Sequence, residues 1–385
     1  MTDCSTSFDV AIIGGGVIGL AIGWRAAQRG LDVLVLERGE PGGGTSRVAA
    51  GMLAPIAEAD PGEQPLLALG LASAAAYPRF IEELSEAGGT DPGYLSCGTL
   101  MVARDRDESE ALERELAMRD SLGLPVRRLR ASEARRLEPG LAPSLRLALE
   151  IPGDHVIEPA RMTAALVAAL RHAGGRLRSA TDVAEVLISG GRVAGVRLLD
   201  GGELRAANVV VAAGIWSGLL AGLPPQARVP LRPVKGQTLR LHDPAGPGLL
   251  TRVVRMPPGY LVPRGDGRYV LGATMEERGF DTTVTAGAVF ELLRDATELV
   301  PGVSELVIDE LLAGLRPGTP DNAPAIGPGS IPGLHWAAGH HRNGILLTPI
   351  TAEMVVAELT GDPPHPLAEA FHPARFAAAT AGTRA

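Results

Sequence analysis

Residues 8–19 read Phe8-Asp9-Val10-Ala11-Ile12-Ile13-Gly14-Gly15-Gly16-Val17-Ile18-Gly19. A short apolar strand runs straight into Gly14-x-Gly16-x-x-Gly19. Residues 17–29 then carry a helical pattern that Gly30 stops. A second strand follows, Asp32-Val33-Leu34-Val35-Leu36-Glu37. Gly14 allows the tight turn, Gly16 lets the backbone approach a pyrophosphate, and Gly19 lets the helix pack on the strand. Free N–H groups and the dipole at the helix start favour phosphate there. Glu37 ends the second strand 23 residues after Gly14, close to the ~20-residue spacing of an acid that binds a ribose hydroxyl. An acid at this place would repel a 2′-phosphate and disfavours NADP. A lone GxGxxG is weak; with its strand, helix and acid it predicts an α/β, Rossmann-like dinucleotide domain.

The next segment decides which dinucleotide. Arg38-Gly39-Glu40-Pro41-Gly42-Gly43-Gly44-Thr45-Ser46-Arg47-Val48-Ala49-Ala50-Gly51-Met52 is a loop of small residues where a dehydrogenase would enter another regular crossover. Such a loop can run close to a large cofactor and donate N–H groups to it. Its Glu-Arg-Gly, Thr-Ser and Ala-Ala-Gly-Met pieces resemble the same segment of the D-amino-acid-oxidase-like flavoproteins. FAD is therefore the expected cofactor.

Composition sets the outer limits. The chain has 385 residues, enough for two domains. A formal net charge of −8, without a basic stripe, argues against nucleic acid as a partner. The two cysteines, Cys4 and Cys97, form no CxxC pair, so a zinc site is not expected. Their use fits a reducing cytoplasm. Residues 10–24 are apolar, but Asp3 and Asp9 precede them and no Lys or Arg does, unlike a secretory leader. No run reaches the ~18 uncharged apolar residues of a spanning helix, and no stable membrane association is expected.

Further along, helices are expected over 66–86, 105–122, 132–138, 160–172 and 285–299. Residues 94–104 read as a strand, 183–199 as a hairpin about Gly190-Gly191, and Asn208–Ala213 as a buried strand ending at Gly214. Short runs at 234–241, 250–256, 260–264 and 268–274, cut by Pro and Gly, read as an antiparallel sheet, with a further strand at 306–312. Thr348 is the expected N-cap and Pro349 the first residue of a last helix that Gly361 stops. Residues 377–385 are expected to fray. The FAD-binding domain is thus assigned residues 1–85, 150–230 and 318–385. An α+β substrate domain built on the antiparallel sheet takes 86–149 and 231–317.

Four segments carry chemistry: Pro233–Gln237, Tyr260–Arg264, Gly314–Gly327 and Gly339–Leu346. An amino-acid substrate brings a carboxylate into a mostly apolar cleft, where leaving it unpaired would be costly. A guanidinium offers two parallel N–H donors and stays charged. Arg316, at a strand end and braced by Pro317, is the candidate clamp. Tyr260 either adds its hydroxyl to that carboxylate or forms a pocket wall. Met52 and Met275 are candidates to cap the pocket, and each is equally read as core. Trp216 reads as packing, and His340 and His341 as structural.

In order and spacing these segments resemble, nearly end to end, the D-amino-acid-oxidase-like (DAO) FAD-dependent amine oxidases. GLRPGTPDNAPAIG, GHHRNGILLTPITA and LGATMEERGFD are most similar to glycine oxidase of the ThiO type. The resemblance places Arg342 beside both flavin and substrate. It gives cofactor contacts to Gly14, Gly16, Val17, Ile18, Gly19, Glu37, Arg38, Thr45, Ser46, Ala50, Gly51, Met52, Val183, Gly214, His341, Arg342, Asn343, Gly344, Ile345 and Leu346. It implies hydride transfer from a small amino acid to FAD, peroxide formation with O2, supply of an imine for thiamine thiazole synthesis, and a homotetramer. The last helix would turn its positive end toward the flavin. Two departures stand out. No cysteine follows Cys97, so FAD should be non-covalent, unlike in sarcosine-oxidase relatives. Pro258 stands where a histidine precedes the pocket tyrosine in the family. The alternatives are a D-amino-acid dehydrogenase that reduces a quinone and a non-catalytic flavin-binding protein.

Overall fold

The computed structural model describes residues 7–377. Cys4 and all but the first residue of the segment 377–385 lie outside that range. The opening strand, Ser7–Ile13, sits in the middle of an eight-stranded sheet, between Val33–Leu36 and Glu203–Val211, parallel to both. It is buried on both faces, as a parallel strand should be: Val10 and Ile12 enter one core, Ala11 and Ile13 the other. Glu203–Val211 forks. Its first half pairs antiparallel with Arg192–Leu198, while its second half pairs parallel with Leu334–Ala338. One face is covered by the helices Val17–Gln28, Gln64–Gly88, Pro159–His172 and Thr348–Thr360, which share a core that includes Trp24, Tyr77 and Leu170.

The second eight-stranded sheet runs in the order Val307–Gly318, Arg232–His242, Arg268–Gly272, Tyr260–Pro263, Val253–Arg255, Thr99–Ala103, Leu147–Ile151, Arg127–Arg130. It is antiparallel as expected, except that Val253–Arg255 runs parallel to Thr99–Ala103. Helix Ala286–Leu299 packs on it, and the Thr285 hydroxyl accepts the Ala288 N–H at that helix start. A third, small sheet pairs Met52–Leu53 and Tyr94–Leu95 with His155–Ile157.

Three local expectations change. The strand Leu147–Ile151 crosses the expected boundary at 149/150 and pairs along its whole length within the antiparallel sheet. The segment 94–104 splits, because Tyr94–Leu95 leaves for the small sheet while Thr99–Ala103 joins the large one. Thr348 does not cap the last helix. Leu347 stands at that place, and the Thr348 hydroxyl donates back to the Gly344 carbonyl at 2.8 Å. Thr348 is already inside the winding chain: the Leu347 N–H donates to the Asn343 carbonyl at 2.8 Å and the Thr348 N–H to the Ile345 carbonyl at 3.3 Å. Gly361, at φ +71°, ends the helix as expected. Among the described residues, no helix is long and apolar enough to cross a membrane.

Candidate active site

A cleft of about 1010 Å³ runs from the first glycine turn to the face of the antiparallel sheet. Its nucleotide end is built on Gly14, Gly16, Val17 and Ile18. Gly14 has φ +108°, and a Cβ there would stand 2.5 Å from the Ala212 carbonyl oxygen. The helix starts at Gly16 without a side-chain cap, and the Val17 N–H donates to the Ser46 hydroxyl at 3.2 Å. Glu37 lines the cleft, and its carboxylate accepts the N–H of Gly15 at 2.7 Å and of Gly39 at 2.9 Å. These bonds fix the acid at the strand end.

The small-residue loop forms the adjoining wall. Thr45 donates to the Leu315 carbonyl at 2.7 Å, which ties this loop to the strand bearing Arg316. Arg264 donates to the Ala50 carbonyl at 2.7 Å and to that of Ile157 at 3.1 Å. Thr45, Ser46, Ala50, Gly51 and Met52 therefore line the cleft in a held conformation, joined by Val183 and Gly214. The Arg38 guanidinium lies 3.7 Å from the Trp216 ring centroid, a stacked pair on the same wall. Trp216, read from sequence as packing, thus also faces the cleft.

These features fit a dinucleotide. The volume, the uncapped helix start and the anchored acid match FAD, and the buried His341 Nε2 has no hydrogen-bond partner among the described residues. Cys97 does not line the cleft, and burial pushes its thiol up to about 11. Among the described residues no His/Cys/Asp/Glu group could hold a metal ion.

At the other end Arg316 sits on strand Val307–Gly318, opposite Val234. Its guanidinium lies flat over Gly236, where a Cβ would come within 2.5 Å of both terminal nitrogens. It donates to the carbonyls of Thr274 at 3.1 Å and Lys235 at 3.4 Å. Among the described residues no carboxylate pairs with it, so its charge is left for a ligand. Tyr260 stands beside it; burial raises the phenol above its ordinary value and the Arg316 charge opposes this. Met52, Met275 and Pro258 share the wall, with Met275 at the mouth, 61% exposed.

Arg342 is placed differently. It lines the cleft, but its Nε is 2.9 Å from Glu58 and one terminal nitrogen is 3.2 Å from Glu63. Its charge is thus balanced by protein. His340 and His341 are both held neutral. Burial drives each down to about 3, helped at His341 by Arg316, Arg342 and Arg232. Both histidines line the cleft; His340 also bonds Thr351 at 3.0 Å, and His341 takes φ +46°. Asn343, Gly344 and Ile345 also reach it. Gly19 and Leu346 do not. Gly19 packs under Gly14, and Leu346 is buried in the helical core with its carbonyl accepting the Ser73 hydroxyl at 2.6 Å.

Sequence reasoning missed Arg255, Glu58 and Asp154, and gave Gly236 no role of its own within the segment Pro233–Gln237. Glu58 follows Pro55-Ile56-Ala57, a segment with no motif of its own. Asp154, fully buried, accepts the N–H of Ala57 at 2.6 Å and of Ile56 at 3.3 Å. From the other side Arg119 donates to the carbonyls of Ile56 and Ala57, each at 2.9 Å. Burial pushes the Asp154 carboxyl up to about 7. Glu58 and Arg255 show only a charge between apolar neighbours, and Asp154 not even that, so nothing in the sequence names their partners.

Comparison with known proteins agrees with this geometry. Residues 9–358 match the DAO family, described as FAD dependent oxidoreductase. Glycine oxidase of Geobacillus kaustophilus is 39% identical over 361 residues, covering 91% of this chain and 92% of the relative. The crystal structure of glycine oxidase from Geobacillus kaustophilus superposes with a TM-score of 0.88 at 36% identity, covering 96% of this chain and 98% of that one. The bifunctional protein ThiO/ThiG of Synechocystis is 36% identical over 97% of this chain, which spans 55% of that longer protein. With the flavin-sized cleft and its unpaired arginine in place, the chain belongs to the DAO family of FAD-dependent oxidoreductases and, within it, to the glycine-oxidase type of amino-acid oxidase.

Proposed function

We propose that the protein oxidises glycine and other small amines, among them sarcosine and small D-amino acids. The observation that carries this reading is Arg316: a cation with no acidic partner among the described residues, on the same cleft as the dinucleotide turn. Its fork takes the substrate carboxylate by two parallel bonds. Tyr260, beside it, lines the same end and closes the pocket over the bound carboxylate. Met52 and Met275 leave room for small side chains only.

FAD would be held by Gly14, Gly16, Val17, Ile18, Glu37 and Arg38, by the loop from Thr45 to Met52, by Val183 and Gly214, and by the turn from His341 to Ile345. When bound, FAD supplies the redox chemistry, taking two electrons from the amine carbon and passing them to O2 as hydrogen peroxide. The chain's own contribution is orientation. Fixing the carboxylate at Arg316 aligns the neighbouring carbon, and such positioning alone accounts for a large share of a barrier. Neutral His340 and His341 carry no proton to release near neutral pH, which suits a reaction that needs no strong acid. The ThiO/ThiG relative supports a place in thiamine thiazole synthesis, with the imine as the product passed on.

A peroxide assay over a panel of amines tests the proposal. Glycine, sarcosine and D-alanine should give peroxide with the highest kcat/KM. Bulky D-amino acids should fall at least about tenfold below them, the scale on which a filled pocket rejects added groups. A preference for bulky amines, or no peroxide from any, would overturn it.

A further inference from the structure

Three guanidinium groups and one carboxylate face the substrate end of the cleft: Arg255, Arg316, Arg342 and Glu58. Their pairing is unequal. Glu58 meets Arg255 with one oxygen and Arg342 with the other, each at 2.9 Å. Arg342 meets Glu63 as well, at 3.2 Å. Arg316 meets the carbonyl oxygens of Lys235 and Thr274 and the Tyr260 hydroxyl, and no carboxylate among the described residues. Three positive charges therefore stand against two negative ones. One positive charge is left over, which is what a single carboxylate cancels.

Glu58 is also fastened in place. Its side chain is 17% exposed, and the two residues before it are gripped by Asp154 on their N–H groups and by Arg119 on their carbonyls. Arg255 adds a bond to the Ala57 carbonyl. With its backbone neighbours held, Glu58 can move only by rotating its side chain, which would take it from Arg255 and Arg342, and a partly buried unpaired charge is costly.

We infer that Glu58 is a specificity-determining residue: by occupying Arg255 and Arg342 it restricts the cleft to amines with one carboxylate and rejects those with a second anionic group. This rests on the amino-acid oxidase reading above. A second carboxylate arriving beside Arg316 meets the like charge of Glu58 and two guanidinium groups already engaged. That is discrimination by an introduced repulsion rather than by a better fit to the preferred ligand.

The test uses purified holoenzyme and two unreactive ethers. Methoxyacetate carries one carboxylate and diglycolate two, and neither has an oxidisable amine. The flavin difference spectrum reports binding of each. Wild-type protein should bind methoxyacetate at least about tenfold more tightly than diglycolate, the scale of one close charge pair. Glu58→Gln should shrink that ratio at least about tenfold, and Glu58→Asp, which keeps the charge, should preserve it. Equal wild-type affinities, or an unchanged ratio in FAD-loaded Glu58→Gln, would overturn the inference. Should Glu58→Gln fail to retain FAD, the wild-type ratio decides alone. If methoxyacetate does not perturb the wild-type flavin at all, the oxidase reading fails and takes this inference with it. If it binds but the ratio does not respond to Glu58, only this inference falls.

Discussion

Arg316→Met lowers the affinity of the holoenzyme for acetate, and raises KM for glycine, by about 30- to 1000-fold, the equivalent of about 2–4 kcal/mol for a lost charge-assisted pair. FAD affinity changes little by comparison. The asymmetry follows from the geometry. Arg316 lies over Gly236 and bonds the carbonyls of Thr274 and Lys235 and the Tyr260 hydroxyl, with no carboxylate among the described residues. Methionine keeps the aliphatic stem that packs there and removes only the fork. Titration of the flavin spectrum with acetate, alongside the flavin content of the purified protein, measures both effects. An equal loss of acetate and FAD would mean that Arg316 serves the cofactor or the fold and is no clamp. Arg342→Met is a useful contrast, since Arg342 is already paired with Glu58 and Glu63. Its removal takes the ion partner from Glu63 and leaves Glu58 with Arg255 alone, so it should perturb stability as well as binding.

The second large effect is at Gly14. Gly14→Ala should yield protein that purifies largely without flavin, with FAD affinity down by at least about 100-fold. The backbone there has φ +108°, a conformation that a side chain strains by about 1–3 kcal/mol. The added Cβ would also meet the Ala212 carbonyl oxygen at 2.5 Å and the Ala213 Cα at 2.9 Å. Those atoms are backbone of the neighbouring strand end, so neither can rotate away. The turn must shift, and the turn is what brings Gly16 and the open helix start to the cofactor. Equilibrium dialysis of FAD against the variant measures the loss. Wild-type flavin content in a folded Gly14→Ala protein would contradict the role given to this turn.

Much of this fold was legible because its signals are local. The strand, turn and helix at 8–28 follow from apolar runs and glycines whose spacing has a steric cause. The capped helix at 286–299 and the glycine stop at Gly361 are equally local. What was not legible depends on partners distant in sequence. Nothing near Thr99–Ala103 says that it pairs in parallel with Val253–Arg255. Thr348 looked like an N-cap because the rule weighs residue type, whereas its hydroxyl and N–H both turn back to the preceding segment, to the Gly344 and Ile345 carbonyls. The site divides the same way. Arg316 and the nucleotide loop stood in recognisable surroundings. Glu58 and Asp154 act through the peptide groups and guanidinium groups they meet across the fold, and no spacing announces such contacts. Arg342 shows the difference most plainly: its presence was read, but its pairing with Glu58 and Glu63 appeared only in three dimensions.

One measurement tests the central claim most directly. Glycine added to the holoenzyme under strict anaerobiosis should bleach the visible flavin absorption, and admitting air should restore it with one peroxide formed per flavin. Bleaching that persists in air would assign the electrons to another acceptor, as in a quinone-reducing dehydrogenase. A flavin that glycine and the other small amines never bleach would contradict the account altogether.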